Sequence, residues 1–442
     1  MREPPLSTLS GWGRHSAVGR EHFGEDIERM SADAHLSRGL GRSYGDASLP
    51  PDDRPDVLNT TFADRILGFD EETGLFRAES GLALSELNRL LMPRGYFTPV
   101  SPGTKFVTLG GMVAADIHGK NQHKEGNFGH HVTALKMRVA DGRVLECSPE
   151  QHPDLFRATI GGMGLTGHIL EVEFGMHRIP SRWLWQENRR IHDIDEFQDA
   201  LEEVAPEWPY TMGWIDCLAG GENMGRGILM TARWAEAEQA PLRPPKPGFQ
   251  PRLRFDWPSW ALSSLSIRTF NELYYRKQWR PRSSGIVNYE SSYYPLDAIR
   301  AWNRMYGRRG FTQYQCVLPR EAGRSSARRV LEVLTARGGA SFLCVIKDFG
   351  RESRGILSFP RPGITLALDI AIRDDTQALV DALNEQVLQE GGRIYLAKDS
   401  FTRREHFVAM EGSRLDEFLA VRDRWDPDRR FRSAQSVRLL GD

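Results

Sequence analysis

Residues 38–46 read RGLGRSYGD, and the wider run HLSRGLGRSYGDASL (35–49) sets Gly39, Gly41 and Gly45 around Arg42 and Tyr44. Glycine at this density admits left-handed backbone and close approach, so the stretch reads as a loop rather than a helix. Two similar loops follow, SPGTKFVTLGGMVAADIHGKN (101–121) and IGGMGLTG (160–167). Successive amides in glycine-rich turns form concave nests suited to a pyrophosphate. Arg42, Ser43 and Thr108 are placed to add charge-assisted contacts. One such loop is ordinarily only a turn. Three of them in a β-rich region point to a dinucleotide cofactor.

The GMGLTG run (162–167) matches GxGxxG, but its context is reversed for a Rossmann site. That fingerprint needs a strand before it and a helix after it, so that pyrophosphate meets the helix N-terminus. Here HPDLFRAT (152–159) reads as a helix and HILEVEFGMHRI (168–179) alternates as a strand. The remaining elements of the first third are equally local. GLALSELNRLLMPRGY (81–96) predicts a helix with Leu84, Leu87 and Leu91 on one stripe, stopped by Pro93. VTALKMRVADGRVLECS (132–148) predicts a hairpin turning at Asp141-Gly142.

At 442 residues the chain exceeds what one core usually organises, which predicts two domains. Lys plus Arg (58) nearly balance Asp plus Glu (59), so no global charge favours nucleic acid. Cys147, Cys217, Cys316 and Cys344 form no CxxC pair, which argues against a disulfide framework or a thiolate zinc site. The N-terminus lacks the apolar core of a signal peptide. The most apolar stretch, ITLALDIAI (364–372), contains Asp369 and falls far short of the roughly 20 residues that span a bilayer. These features predict a cytoplasmic protein, soluble or peripheral at the inner face of the membrane.

After about residue 177 the composition turns toward Trp, Arg and Pro. From Pro241 to Gly285 nine Lys/Arg face Asp256 and Glu272, a balance of +7, with Trp257, Trp260, Tyr274, Tyr275 and Trp279 interleaved. The segment reads either as a solvated basic loop or as a basic-aromatic surface for an anionic headgroup. The last stretch predicts a strand, RIYLAKD (393–399), and then a helix with Ser413 as N-cap and Asp426-Pro427 as its stop.

Among candidates for chemistry, DIHGKNQHKEGNFGHH (116–131) offers Asp116, His118, His123, Glu125, His130 and His131 as ligands. No HExxH-like spacing orders them, so no metal is expected. No GxSxG elbow supports a serine nucleophile. Lys398, within YLAKDS, is either semi-buried, with a lowered pKa suited to proton transfer, or a solvated edge lysine.

Taken in order, GWGR, RGLGRSYGD, PGT…VTLGGM…ADIHGKN, GGMGLTG, ELYYRK, YPLD, FTQYQCVLP, SFLCVIKDFG, GGRIYLAKDS and WDP…F resemble one family from about residue 11 to the C-terminus. It is the FAD-dependent oxidase subunit of decaprenylphosphoryl-ribose 2′-epimerase, of the vanillyl-alcohol-oxidase (PCMH) type. The resemblance implies an α+β fold in two parts. An FAD domain (1–177) is rejoined by a C-terminal segment (393–442), and a substrate domain with an antiparallel sheet (178–392) carries the basic-aromatic loop 241–285.

Carried over by position, the resemblance implies FAD contacts at Arg38, Gly39, Leu40, Gly41, Arg42, Ser43, Tyr44, Gly45, Asp46 and Ala47. Others are Gly103, Thr108, Leu109, Gly110, Gly111, Ala115, Asp116, Ile117, His118, Ile169 and Tyr395. Many relatives attach FAD covalently through a His in the first loop; Tyr44 stands there in this chain, which implies non-covalent FAD. Substrate positions fall on Lys120, Trp214, Gln313, Gln315, Lys347, Thr365 and Lys398, with Lys398 handling the proton and Tyr44 and His118 beside it. Mycobacterial members carry Cys at Ala367 and Asn at Thr365, so this pocket wall differs. The implied reaction oxidises the 2′-hydroxyl of a polyprenylphosphoryl ribose. The keto product would pass to a separate NADH-dependent reductase, since no reductase motif is visible. A soluble sugar or alditol oxidase on the same scaffold is the alternative.

Overall fold

The computed structural model describes residues 4–246, 248–339 and 341–442. Its largest element is an eight-stranded antiparallel sheet. The strands run, edge to edge, Arg282–Asn288, Trp183–Ile191, Gly227–Trp234, Tyr210–Ile215, Cys344–Phe349, Gly363–Ala371, Phe311–Pro319 and Arg393–Ile394. Side chains alternate across a strand, so each strand sends every second residue to one face. On one face Ile215, Leu229, Cys316, Leu318, Cys344, Ile346, Leu366, Leu368 and Ile370 form a dry core. The helices Ile194–Val204, Ser325–Ala336 and Thr376–Gln389 cover it with Phe197, Leu201, Val330, Leu334, Leu379 and Leu383.

The N-terminal region builds two smaller sheets. One orders Ser7–Ser10, Ser16–Phe23, Asp56–Asn59 and Ser37–Arg38, with its last two pairings parallel. The other is antiparallel: Ile66–Phe69, Leu75–Glu79, His168–Gly175, Val132–Arg138 and Val144–Cys147. Its hairpin pairs Leu135 with Cys147 and turns at Asp141-Gly142, Gly142 adopting φ +89° as that turn requires. A core of Phe76, Leu87, Leu109, Val113, Leu135, Phe156 and Val172 joins it to the helices Leu84–Leu91, Leu109–Ala114 and Pro153–Thr159. Helices and mostly antiparallel sheets make the fold α+β. GMGLTG lies between a helix and a strand, in the reversed order read from the sequence.

Three expectations are corrected. RIYLAKD is a strand only at Arg393–Ile394; the Lys398 amide then donates to the Tyr395 carbonyl (2.9 Å), so Lys398 sits on a turn. Ser413 is the first residue of the helix Ser413–Trp425 and Gly412 is its N-cap, without a side-chain cap. The segment 241–285 is not one loop: it holds the helix Ser264–Lys277, capped by Ser263.

The C-terminal helix Ala434–Leu440 closes against the first glycine loop. Arg438 bridges Asp46 and Asp399, each at 2.8 Å, and Gln435 donates to the Leu396 carbonyl. Among the described residues no helix is long and apolar enough to cross a membrane.

Candidate active site

The sheet face opposite the dry core carries polar groups at matched register. Gln313 lies across from Asp369, Gln315 from Ala367, and Thr365 from Lys347, while Ala367 and Trp214 both lie across from Val345. Directly opposed residues share a face, so Trp214, Gln313, Gln315, Lys347, Thr365, Ala367 and Asp369 project together. Polar groups on a buried face are costly unless bonded, and these are bonded. Gln315 Nε2 donates to His118 Nε2 (3.0 Å) and Thr365 Oγ1 (3.2 Å), and the Thr365 hydroxyl donates to the Cys316 carbonyl (2.8 Å). Asp369, wholly buried, accepts from the Tyr306 hydroxyl (2.9 Å) and from Gln313. The Trp214 indole donates to the Phe342 carbonyl (3.1 Å).

Three lysines from distant parts of the chain meet this face. Lys398 places its ammonium 3.9 Å from the centre of the Tyr44 ring. Lys347 donates to the Gly119 carbonyl (3.4 Å) and Lys120 to the Ser292 carbonyl. Burial disfavours the charged form of each, and Lys347 repels the other two. Lys120 is thereby pushed down to about 7 and Lys347 to about 8. Lys398 is lowered by burial, against the attraction of Asp369, whose own carboxyl burial raises. His118, packed against Phe349, Phe359 and Tyr395, is held well below the usual imidazole range by burial and then by Lys347 and Lys398. The Tyr44 phenol is pushed well up, chiefly by burial. At neutral pH the ring of His118 and the phenol of Tyr44 are therefore uncharged.

The glycine loops converge on the same region. A Cβ on Gly39 would lie 2.3 Å from Thr108 Oγ1, and one on Gly45 only 1.9 Å from the Asp399 carbonyl oxygen. The Tyr44 amide donates to the Ala397 carbonyl (2.9 Å), and the Tyr395 hydroxyl to the Ala115 carbonyl (2.9 Å). Gly161 and Met163 donate to Val113 and Ala114, which ties the third loop to the helix Leu109–Ala114. Arg38 faces inward on Glu21 (3.2 Å), Ser48 and Ser10. Arg42 lies over the Trp12 ring at 4.2 Å, Gly41 adopts φ +62°, Ser43 accepts from the Trp12 amide, and Leu40 is partly exposed. Ala47 packs with Tyr395, and Ile117 and Ile169 join the core of the smaller sheet.

Several predicted residues also have hydrogen-bond partners within the protein. The Asp116 carboxylate accepts from Gly129 N (2.8 Å), Asn127 Nδ2 (3.0 Å) and Ser353. Leu109 and Gly110 donate their amides to Leu82 and Ser80, and Gly111 donates to Thr108 Oγ1. Of the six histidine-rich-run candidates, Glu125 and His131 approach one another, joined by His177, and His131 already bonds the Glu125 carbonyl. A cleft of about 460 Å³ lies apart from all this, among Glu28, Arg65, Glu79, Lys136 and Glu171, whose charges pair with one another.

Asp369 was missed as a site residue. Its signal was present: an acid inside an otherwise apolar strand, two and four positions beyond Ala367 and Thr365, hence on their face.

The FAD-binding domain family matches residues 32–148. A decaprenylphosphoryl-β-D-ribose oxidase of Mycolicibacterium smegmatis is 35% identical over 99% of this chain and 98% of its own length. The chain belongs to this oxidase family. An uncharacterized protein in the mprA 5′ region of Streptomyces coelicolor is 33% identical over 81% of the chain, and an L-gulono-1,4-lactone dehydrogenase of Mycobacterium tuberculosis 24% identical over 87%. The protein is thus an FAD-dependent oxidoreductase. Its residues fit the cofactor. Among those described, the Gly41, Arg42 and Ser43 amides have no protein acceptor, Arg42 Nε and His118 Nδ1 are buried without partners, and Gly103 has open space at its Cβ position.

Proposed function

We propose that this member of the oxidase family oxidises the 2′-hydroxyl of a polyprenylphosphoryl ribose to the 2′-keto sugar. This is the first half of an epimerisation to arabinose that a separate NADH-dependent reductase completes. The observation that carries the reading is the buried sheet face on which Lys120, Lys347 and Lys398 gather without direct ion pairs among the described residues. Unpaired buried ammonium groups are costly, and a phosphodiester offers them charge-assisted partners. The relative at 35% identity is named for decaprenylphosphoryl ribose, a substrate of that chemistry.

The division of labour follows from the two half-needs of alcohol oxidation. FAD, when bound, supplies the hydride acceptor. The protein must take the hydroxyl proton, and Lys398 is suited to it, because burial lowers its pKa toward the range where a neutral amine is available. Tyr44 confines that ammonium against its ring, and Asp369 keeps it from losing its proton too readily. Gln315 donates to His118 Nε2, which leaves the neutral ring's proton on Nδ1, a buried donor without a protein partner. Lys120 and Lys347 take the phosphate, with Trp214, Gln313, Gln315 and Thr365 walling the sugar.

In this reading residues 1–177 and 393–442 hold FAD non-covalently in a PCMH-type domain, and residues 178–392 bind substrate. The enzyme works at the cytoplasmic face of the membrane in peripheral contact with it. Turnover of lipid-linked ribose against free pentose or alditol is the test. Preference for the lipid-linked sugar is expected; equal or better oxidation of a free sugar would favour a soluble sugar oxidase on this scaffold.

A further inference from the structure

The helix Ser264–Lys277 turns an unusual face to solvent. Its inward side is fixed: Ile267 is buried, Asn271 donates to Asp216 (2.8 Å), and Tyr274 packs on Trp214 with ring centres 4.7 Å apart. Its outward side mixes basic residues with large apolar ones. Leu265 and Leu273 are 76% and 66% exposed, and the flanking Trp260 and Trp279 are 73% and 71% exposed. A surface helix of a soluble protein ordinarily turns its leucines inward and leaves solvent its polar face. Clustered exposed apolar side chains of this size mark an interaction surface.

The charge around them is one-sided. Arg276 is taken up by Glu272, but Arg268, Lys277 and Arg280 have no ion pair among the described residues, and Arg280 lies 4.6 Å over the Trp279 ring. With the segment at +7, a second copy would bring like charge against like across a two-fold contact. Indole and leucine side chains beside unpaired cations match the apolar-anionic boundary of a lipid leaflet.

We propose that this helix and its flanking tryptophans form the face by which the protein docks on an anionic lipid bilayer. The face borders the site: Leu262, just before the helix, packs in one cluster with Tyr44 and Phe311, and Tyr274 meets Trp214. Resting on the proposed lipid-linked substrate, docking here would bring the sugar to the lysine-bearing sheet face while its polyprenyl chain stays in the leaflet.

The test is cosedimentation of FAD-loaded protein with vesicles of equal parts phosphatidylglycerol and phosphatidylcholine, and with phosphatidylcholine alone. The expected result is binding to the anionic vesicles that weakens with added salt. Replacing Trp260, Leu265, Leu273 and Trp279 together by Ser, or Arg268, Lys277 and Arg280 together by Gln, should reduce it about tenfold or more. Flavin content and melting temperature check that each variant is folded. Wild-type protein that ignores the vesicles, variants that bind as wild type does, or a dimer that the serine variant converts to monomer would each overturn the proposal. No substrate enters this assay. Its failure therefore leaves the oxidation reading standing, and inactivity toward lipid-linked ribose would not touch the docking face.

Discussion

The Lys398 ammonium and the Tyr44 ring, 354 positions apart in sequence, lie 3.9 Å apart, cation over ring face. The contact joins the first glycine loop to the C-terminal turn, and the Tyr44 amide bonded to the Ala397 carbonyl locks the two backbones at the same point. A cation–π contact favours the charged amine while burial opposes it. Burial prevails, so the lysine is lowered from its ordinary value of 10.5.

The pH dependence follows with a definite sign. Only the neutral amine accepts a proton, so the second-order rate of flavin reduction by substrate should rise with pH and level off well below the ordinary lysine range. Stability shifts the same way: between the folded and ordinary values the unfolded chain binds more protons, so Lys398 makes folding more favourable as pH rises there. Lys120 and Lys347 titrate nearby, and comparison with Lys398→Met isolates the limb. A limb that persists unchanged in that variant would assign it to another group.

Asp369→Asn should move that limb to lower pH, because the carboxylate is what raises the Lys398 pKa. The amide also turns a donor toward Tyr306 or Gln313, which both now donate to the acid, at about 1–3 kcal/mol of stability. Paired pH–rate profiles and thermal melts would read both effects. An unshifted limb would show that Asp369 and Lys398 do not communicate.

Gly45→Ala should damage the fold and the cofactor site together. Its Cβ would fall 1.9 Å from a backbone oxygen that cannot swing away as a side chain could. Overpacking of this kind costs about 1–3 kcal/mol or more. A lowered melting temperature with reduced FAD content is expected; a variant with wild-type melting and flavin would mean the loop and the Asp399 turn are not packed as described.

Acid precipitation should release yellow flavin into the supernatant, as the resemblance implies for a chain with Tyr44 in its first glycine loop. Flavin retained in the pellet would show an attachment through another residue.

How much of this was legible beforehand depends on whether the signal was local. The Asp141-Gly142 hairpin and the stripe Leu84, Leu87, Leu91 were readable because the turn or period lies within a few residues. The three glycine loops were readable one by one; the contact of the first with the second at Thr108, and of the third with Val113 and Ala114, was not, since pairing across the chain leaves no mark in a single sequence. The helix Ser264–Lys277 was hidden because its inward positions mix Ile267 with the polar Asn271, while leucines point outward. Lys398 was read on a strand because RIYLAKD has strand composition, yet a turn beginning at Tyr395 aims it into the site. Asp369 was noticed only as a charge that breaks an apolar run. What places it in the candidate site is the register that sets it opposite Gln313.

Lys398→Met keeps much of the apolar stem and removes the ammonium, and so tests the proton acceptor most directly. Anaerobic stopped-flow mixing of FAD-loaded protein with polyprenylphosphoryl ribose reads flavin bleaching without the re-oxidation step. With Lys398 as the base, flavin content and melting temperature stay at wild-type values while bleaching slows by roughly 100-fold or more, the scale of a positioned general base. Bleaching at the wild-type rate would contradict it and move the proton to another group, and loss of FAD would make Lys398 a cofactor-binding residue instead.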